Sequence, residues 1–192
     1  MKNLIKKLLV VALVTFTLFS FTTLNGEKKE IRLDKSKIVW KGYKVTGSHQ
    51  GTIAIESGSL NFNESKLIGG EFSINMATIT STDLEGEYKG KLEGHLKSDD
   101  FFGVEKNPTA LLVFKKVKST GKNSYKVIGD LTIKGKTNSV SFEISIYGNK
   151  ATAILKIDRT KFDVRYGSTS FFDNLKDKAI YDEFDIVADL EF

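Results

Sequence analysis

Residues 93–110 read EGHLKSDDFFGVEKNPTA, and this stretch decides how the remaining sequence is interpreted. It carries the adjacent pair Phe101-Phe102 and contains Pro108, the one proline among the 192 residues. On both sides of it, apolar and polar residues alternate with a period of two, which indicates β-strands. The stretch therefore marks an irregular connection in a chain that is otherwise built of strands.

The alternation extends over most of the chain. Residues 140–146 place apolar side chains at even positions and polar ones at odd positions, and residues 184–192 largely repeat this pattern. One apolar and one polar face are typical of an antiparallel sheet with a single buried side. The pattern predicts about eight strands, near residues 31–34, 38–46, 52–62, 67–79, 109–118, 124–134, 138–147 and 151–157, and a ninth near 183–192.

Two segments interrupt the strands and have helical character. Residues 83–98 carry leucines and a tyrosine at a spacing of four, which predicts a short helix with one apolar stripe, formed by Leu84, Tyr88, Leu92 and Leu96. Glycines recur on the same period and each weakens the helix by about 1 kcal/mol, so its order depends on packing. A second helical turn is predicted near residues 168–178.

The apolar faces of the strands need a partner layer or closure of the sheet on itself. The two short helical segments are too small to cover such a sheet. Closure also removes exposed strand edges, and about eight strands enclose packed side chains or one slender ligand. The sequence therefore predicts an all-β protein, an antiparallel β-barrel, in preference to a sandwich.

Four blocks of the sequence together resemble the YceI-like family, in the form seen in its Bacteroidetes-type members. The first is residues 93–110. The others are Trp40–Ile53 (WKGYKVTGSHQGTI), Gly129–Thr137 (GDLTIKGKT), and Asp158–Ser168 (DRTKFDVRYGS) followed by Phe171-Phe172. They occur in the family's order and cover most of residues 31–192.

The resemblance implies a lipocalin-like barrel that binds, carries or sequesters a polyisoprenoid, quinone-like or fatty-acyl lipid without catalysis. It also implies a role in the stress response and a periplasmic location. The residues alone are equally compatible with a filled aromatic core and with an open tunnel. Under the family interpretation we expect an apolar cavity lined by Trp40, Ile53, Phe72, Ile74, Met76, Phe101, Phe102, Phe114, Leu131, Ile133, Phe142, Ile144, Phe162, Phe171 and Phe172.

Adjacent aromatic residues give the cavity a predicted mouth. Neighbours on a regular strand point to opposite faces, so the pairs Phe101-Phe102 and Phe171-Phe172 fit irregular segments that plug or gate one end of a barrel. We expect the polar entrance at that end to be formed by Lys44, His49, His95, Arg159 and Arg165. For Arg159 the preferred explanation is an ion pair that fixes a strand bend. The alternative is that Arg159, Lys161 or Arg165 binds a phosphate-bearing head group.

Residues 1–26 are typical of a secretory signal peptide, which leaves one domain at 27–192. Lys2, Lys6 and Lys7 precede an apolar run that ends at Phe21 and is short for a membrane span. An uncleaved anchor is the alternative. The chain has no cysteine, so a lipid-anchored lipoprotein is not expected and disulfides do not contribute to stability. We expect a periplasmic or otherwise exported protein.

Charge gives no reason to expect a nucleic acid partner. The formal charge of the full chain is +5, but the three lysines of the signal segment carry much of that excess. A lipid is the expected partner, with transient membrane contact and either a monomer or a homodimer compatible with the sequence. We expect no cofactor other than a bound lipid.

The sequence contains no recognisable catalytic or metal-binding pattern. His49 and His95 are its two histidines, and no serine occurs in a nucleophile-elbow context. His95 with Asp99 and Asp100 matches no ligand spacing of known metal sites. Two alternatives to the lipid carrier remain: a barrel with a solid core and an interaction role, and an acid–base enzyme that uses Asp99 or Asp100 with a raised pKa.

Overall fold

The computed structural model describes residues 26–192, and the predicted signal peptide lies outside the described residues apart from Gly26. These residues form nine strands, one α-helix and three short 3-10 turns at Leu33–Lys35, Arg159–Phe162 and Lys176–Lys178. The helix α1 spans Gly86–Lys97. The strands are β1 (Glu27–Glu30), β2 (Lys37–Lys44), β3 (Gly47–Asn63), β4 (Lys66–Ser81), β5 (Thr109–Ser119), β6 (Ser124–Ile133), β7 (Lys136–Tyr147), β8 (Lys150–Asp158) and β9 (Ile180–Glu191).

Strands β2 to β9 close into an eight-stranded antiparallel barrel. Each pairs with its neighbour in sequence, and β9 returns to pair with β2, where Trp40 lies opposite Ile186. Strand β1 is extra and pairs with the distal half of β3. The predicted antiparallel barrel with one helix and short helical turns is thus confirmed, since closure gives every barrel strand two partners and a common apolar interior.

Hairpin turns fix the register where the sequence supplies residues that tolerate positive φ. The β6–β7 connection consists of Lys134 at φ 51° and Gly135 at φ 69°. Two successive left-handed residues are the geometry of a type I′ turn, whose twist matches that of the flanking strands. The alternation on β6 and β7 therefore places their apolar residues on the same side of the barrel wall.

Two local predictions were wrong. Residues 31–34 do not form a strand: β1 ends at Glu30, and a 3-10 turn follows at Leu33–Lys35 before the chain resumes pairing as β2. The apolar stripe on α1 is also incomplete, because Tyr88 is 73% exposed whereas Leu96 is buried. Only the C-terminal part of the helix faces the barrel, and spacing alone does not show how far a short helix extends beyond its support.

One end of the barrel is filled with side chains. This packed end contains the turns at residues 63–66, 119–124 and 147–150, together with β1. Leu60 and Val127 are completely buried there, and the rings of Phe62 and Phe192 pack with centroids 5.3 Å apart. The barrel interior is therefore closed to solvent on this side.

Longer connections cover the opposite end. This capped end consists of α1, the connection at residues 98–108 and the segment at residues 159–179. Within residues 26–192, no helix has the length and apolar character needed to cross a membrane. The capped end carries the features described below.

Candidate functional site

An apolar cavity of about 180 Å³ lies inside the barrel toward the capped end. Every strand from β2 to β9 contributes to its wall, and Leu96 of α1 completes it. The residues that contribute are Ile38, Trp40, Gly42, Tyr43, Ile53, Phe72, Ile74, Met76, Ile79, Leu96, Phe101, Phe102, Ala110, Leu112, Phe114, Leu131, Ile133, Phe142, Ile144, Ala153, Leu155, Ile157, Arg159, Ile180, Tyr181, Phe184, Ile186, Ala188 and Leu190. Arg159 is the one charged residue among them.

Most of the residues predicted for the apolar cavity line it. These are Trp40, Ile53, Phe72, Ile74, Met76, Phe101, Phe102, Phe114, Leu131, Ile133, Phe142 and Ile144. The structure places the other three elsewhere. Phe162 is buried, with 1% of its surface exposed, but it packs outside the cavity wall, and Phe171 and Phe172 lie on the surface with 44% and 49% exposed.

The Phe101-Phe102 pair lies at the capped end because its backbone is irregular. The amide of Phe102 donates to the carbonyl of Leu96, and the amide of Gly103, at φ 56°, donates to that of Ser98. This tight fold turns both rings inward, where they pack edge to face with centroids 4.9 Å apart and are each 7% exposed. The pair therefore forms part of the cavity wall, at the place where the strands end.

Arg159 lies at the end of the inward-facing row of β8. This row consists of Ala151, Ala153, Leu155 and Ile157, and Arg159 follows it with 2% exposure. Its guanidinium carbon lies 5.6 Å from the ring centroid of Phe101. Burial lowers the pKa of this guanidinium, while the nearby carboxylates of Asp182 and Asp158 act to raise it. The cavity thus ends at a desolvated positive charge.

The other residues predicted for the polar entrance do not line the cavity. Lys44 ends β2 and is half-buried, and Arg165 is 57% exposed and bound to Asp163. The His49 ring nitrogen Nδ1 lies 3.0 Å from Asp83 in the β2–β3 region. His95 packs edge to face against Tyr166 with centroids 4.3 Å apart. Among the predicted entrance residues, the structure brings only Arg159 to the cavity.

Asp83 connects the start of β3 to the end of β4. Partial burial acts to raise the pKa of its carboxyl group, but hydrogen bonds from Ser81, His49 and Gln50 outweigh burial and lower the pKa. The carboxylate is therefore a structural acceptor at the capped end. The contact with Asp83 gives His49 a structural role that does not require a ligand.

The cavity wall is irregular at the seam between β2 and β9. The pairing of these strands shifts register between Gly42 and Lys44, opposite a stretch of β9 that includes Tyr181. Tyr181 lines the cavity and is 55% exposed, and a Cβ atom placed on Gly42 would have no atom within 4 Å. The irregular seam thus joins unfilled space beside Gly42 to an exposed wall residue, and we call this part of the wall the seam mouth (Gly42, Tyr43, Ile180 and Tyr181).

Helix α1 is held against β4 by one carboxylate. Glu93 accepts hydrogen bonds from the hydroxyl of Thr80 and from the amide of Ser81. The Thr80 hydrogen bond lowers the pKa of Glu93, against a smaller opposing effect of burial. Leu96 lies about one helical turn after Glu93, so this contact positions Leu96 against the cavity.

The two acidic residues considered for catalysis lie on the surface. Asp99 forms an ion pair with Lys106, whose hydrogen bond lowers the pKa of the carboxyl group, and Asp100 is exposed. An acid–base role requires a buried carboxyl with a raised pKa, and Asp99 shows the opposite shift. Within residues 26–192, no three His, Asp or Glu side chains come together as a candidate metal site.

Much of the cavity wall was absent from the predicted set, although its signal was present in the sequence. The inward rows of β8 and β9 follow the same period-two alternation as the residues that were selected. Arg159, predicted for the polar entrance, follows the row of β8, whereas Asp182 on β9 has the same alternation but does not line the cavity. Gly42 continues the row of Ile38 and Trp40 in the same way, but the pattern does not show that space remains beside it.

Comparisons with known proteins agree with this architecture. Residues 23–192 match the model of the YceI-like domain. A UPF0312 protein of Staphylococcus epidermidis is 36% identical over 72 residues, which are 38% of this chain and 39% of the relative. A UPF0312 protein of Pseudomonas putida is 32% identical over 127 residues, which are 62% of each chain. The matched regions span less than two thirds of both relatives.

Two solved structures share the fold. BcnA of Burkholderia cenocepacia superposes with a TM-score of 0.67 at 23% identity, covering 83% of this chain and 98% of BcnA. A polyisoprenoid binding domain from Saccharophagus degradans, implicated in plant cell wall breakdown, gives a TM-score of 0.57 at 13% identity, covering 84% and 97%. At these identities the similarity is one of fold. With the family model matching nearly all of the described barrel, this chain belongs to the YceI-like family.

Proposed function

We propose that this protein binds one amphiphilic lipid by taking its apolar chain into the barrel cavity, and that it carries or sequesters that lipid in the cell envelope. The single observation that supports this most strongly is the composition of the cavity wall, which is aliphatic and aromatic except for Arg159. Such a cavity stays dry and favours an apolar guest, because water there would lack hydrogen-bond partners.

Burial of the chain supplies the affinity. Each Å² of apolar surface removed from water contributes about 25 cal/mol before the cost of association is subtracted. The cavity of about 180 Å³ is smaller than the roughly 300–1,000 Å³ typical of ligand pockets. A long chain therefore enters with rotamer changes of lining side chains such as Met76, or leaves its distal part at the seam mouth.

Two further observations support the proposal. The Saccharophagus domain that shares the fold is described as polyisoprenoid binding. The basic and apolar N-terminal residues are typical of export, which agrees with a role in the envelope. The cavity wall contains no carboxylate and no histidine, so the proposed activity is binding without catalysis.

The test begins with the protein purified from its native envelope. Organic extraction and mass spectrometry are expected to yield a lipid in stoichiometric amount. After delipidation, adding an isoprenoid or fatty-acyl lipid is expected to change the fluorescence of Trp40, the single tryptophan of the chain and part of the cavity wall. Protein that contains no lipid and gives no response to either lipid class would show that the barrel has another role.

A further inference from the structure

A pair of opposite charges lies just beyond the end of the β8–β9 ladder. The ladder ends at Asp158 opposite Glu183, and Arg159 follows in the 3-10 turn, where its Nη2 lies 3.6 Å from Oδ1 of Asp182. The inward positions of both strands within the ladder are apolar. The apolar cavity wall therefore reaches one charged residue, Arg159, and Asp182 lies beside Arg159 without itself lining the cavity.

The guanidinium of Arg159 is only partly satisfied by its protein partners. Nε donates to the carbonyl of Tyr181 at 3.0 Å, Nη1 to that of Val164 at 2.8 Å, and Nη2 to that of Ile180 at 2.9 Å. A guanidinium carries five N–H groups, so two remain after these bonds. Three carbonyls hold the side chain in place, and the remaining N–H groups are free to recognise another group.

The carboxylate of Asp182 has one oxygen that lacks a hydrogen-bond donor. Its Oδ2 accepts a hydrogen bond from the hydroxyl of Ser170 at 2.6 Å. Its Oδ1 is buried and accepts no hydrogen bond from the described residues. Oδ1 lies 3.6 Å from Nη2 of Arg159, which is too long for a hydrogen bond. A buried donor and a buried acceptor therefore lie side by side without bonding to each other.

We propose that Arg159 and Asp182 form a head-group site for a neutral hydroxyl, as in a long-chain alcohol. The hydroxyl oxygen accepts from a free N–H of Arg159, and the hydroxyl proton is donated to Oδ1 of Asp182. A hydroxyl is both donor and acceptor, so it satisfies both unpaired groups at once. This inference rests on the proposed function, since it requires the apolar chain to occupy the cavity behind the head group.

The same pair disfavours an anionic head group. A phosphate carries about −1.5 to −2 charges at neutral pH, whereas the single positive charge of Arg159 is already offset by Asp182 and three carbonyl dipoles. Placing the phosphate beside the Asp182 carboxylate adds repulsion at a desolvated site. A methyl ether fails for a different reason, because it accepts a hydrogen bond but leaves Oδ1 without a donor.

Three probes with one chain test this site in the delipidated protein. Geranylgeraniol, its methyl ether and geranylgeranyl phosphate are titrated against Trp40 fluorescence. We expect the alcohol to bind about tenfold or more tightly than either analogue, the effect of leaving one buried polar group unpaired. Equal affinity for all three overturns the head-group site and leaves the proposed function standing. Absence of any binding overturns both.

Two variants test whether Asp182 causes the preference for the alcohol over the phosphate. In Asp182→Asn the local negative charge is removed, so the preference for the alcohol over the phosphate is expected to narrow about tenfold or more. Asp189→Asn is the control, because Asp189 lies on the same strand but is exposed and accepts a hydrogen bond from Thr152, and neither residue lines the cavity. An unchanged preference in folded Asp182→Asn contradicts the inference. Should that variant fail to fold, the three-probe comparison in the unaltered protein still decides.

Discussion

At the scale of single residues, Arg159 is the most constrained side chain of the capped end. It bonds to carbonyls of Val164, Ile180 and Tyr181, so Arg159→Met leaves three buried acceptors and the Asp182 carboxylate without their partner. We expect the free energy of unfolding to fall by about 3 kcal/mol, measured by urea denaturation.

Arg165→Met is the matched control for this prediction. Arg165 is 57% exposed, and its ion pair with Asp163 is open to solvent. An exposed pair contributes at most about 1 kcal/mol, so this variant is expected to unfold close to the unaltered protein. Equal losses in the two variants would show that the carbonyl bonds of Arg159 contribute little.

A prediction at the same scale is that Gly42 controls access to the cavity. A Cβ atom at this position meets no atom within 4 Å, so Gly42→Phe is expected to place a ring in the seam mouth. We expect lipid-induced Trp40 fluorescence changes to weaken at least tenfold, with the melting temperature nearly unchanged. A Cβ atom on Gly90 of α1 also meets no atom within 4 Å, but Gly90 does not line the cavity, so Gly90→Phe is expected to bind as before. Unaltered binding by Gly42→Phe would place the entrance elsewhere.

At the scale of elements, the attachment of α1 depends on pH through Glu93. The hydrogen bond from Thr80 lowers the pKa of Glu93 below its ordinary value of 4.5. A carboxyl whose pKa is lowered on folding stabilises the fold fully above that ordinary value, and its contribution is lost as the pH falls through the lowered pKa. We therefore expect α1 to detach from β4 in acid before the barrel unfolds.

Hydrogen exchange measures this detachment. Glu93→Gln at neutral pH is expected to reproduce the acid effect, with amides of α1 exchanging about fivefold or more faster while β6 and β7 keep their protection. Glu87→Gln serves as the control, since Glu87 is exposed and pairs only with Lys91 within the helix. Unchanged exchange in Glu93→Gln would mean that Leu96 alone holds the helix.

At the scale of the whole molecule, the barrel divides into a packed end that stabilises it and a capped end that holds the cavity. Leu60 is completely buried in the packed end, whereas Leu131 lines the cavity. Leu60→Ala is expected to cost about 3–5 kcal/mol of unfolding free energy, because it opens a new void. Leu131→Ala enlarges a space that already exists, and we expect a clearly smaller loss in the same denaturation experiment.

Ligand binding separates the two leucine variants further. The larger cavity of Leu131→Ala is expected to accept an isoprenoid chain at least as tightly as the unaltered protein. Leu60→Ala is expected to bind normally wherever it remains folded, because Leu60 does not line the cavity. Similar stability losses combined with similar binding would show that the interior is uniform, contrary to the division into two ends.

The sequence could predict the elements of this fold well but its site only in part. The wall residues Phe142 and Ile144 follow from alternation, because a pleated strand presents every second side chain to one face. Phe171 and Phe172 lie in an irregular segment as predicted, but no periodicity there indicates whether a side chain faces the interior, and both lie on the surface. The strand predicted at residues 31–34 failed for a related reason: β1 and β2 are separated by a turn that local composition does not mark.

What the sequence determined by itself is therefore local: the approximate strand positions, the short helix and the absence of disulfides. What only the tertiary structure decided is long-range. Closure of β9 onto β2 produced the irregular pairing at Gly42, and the turn that follows β8 brought Arg159 to within 3.6 Å of Asp182 on β9. Alternation depends on the geometry of one strand, whereas register and closure depend on pairing between residues far apart in the chain. For that reason the apolar wall and Arg159 could be predicted from the sequence, and the contact between Arg159 and Asp182 could not.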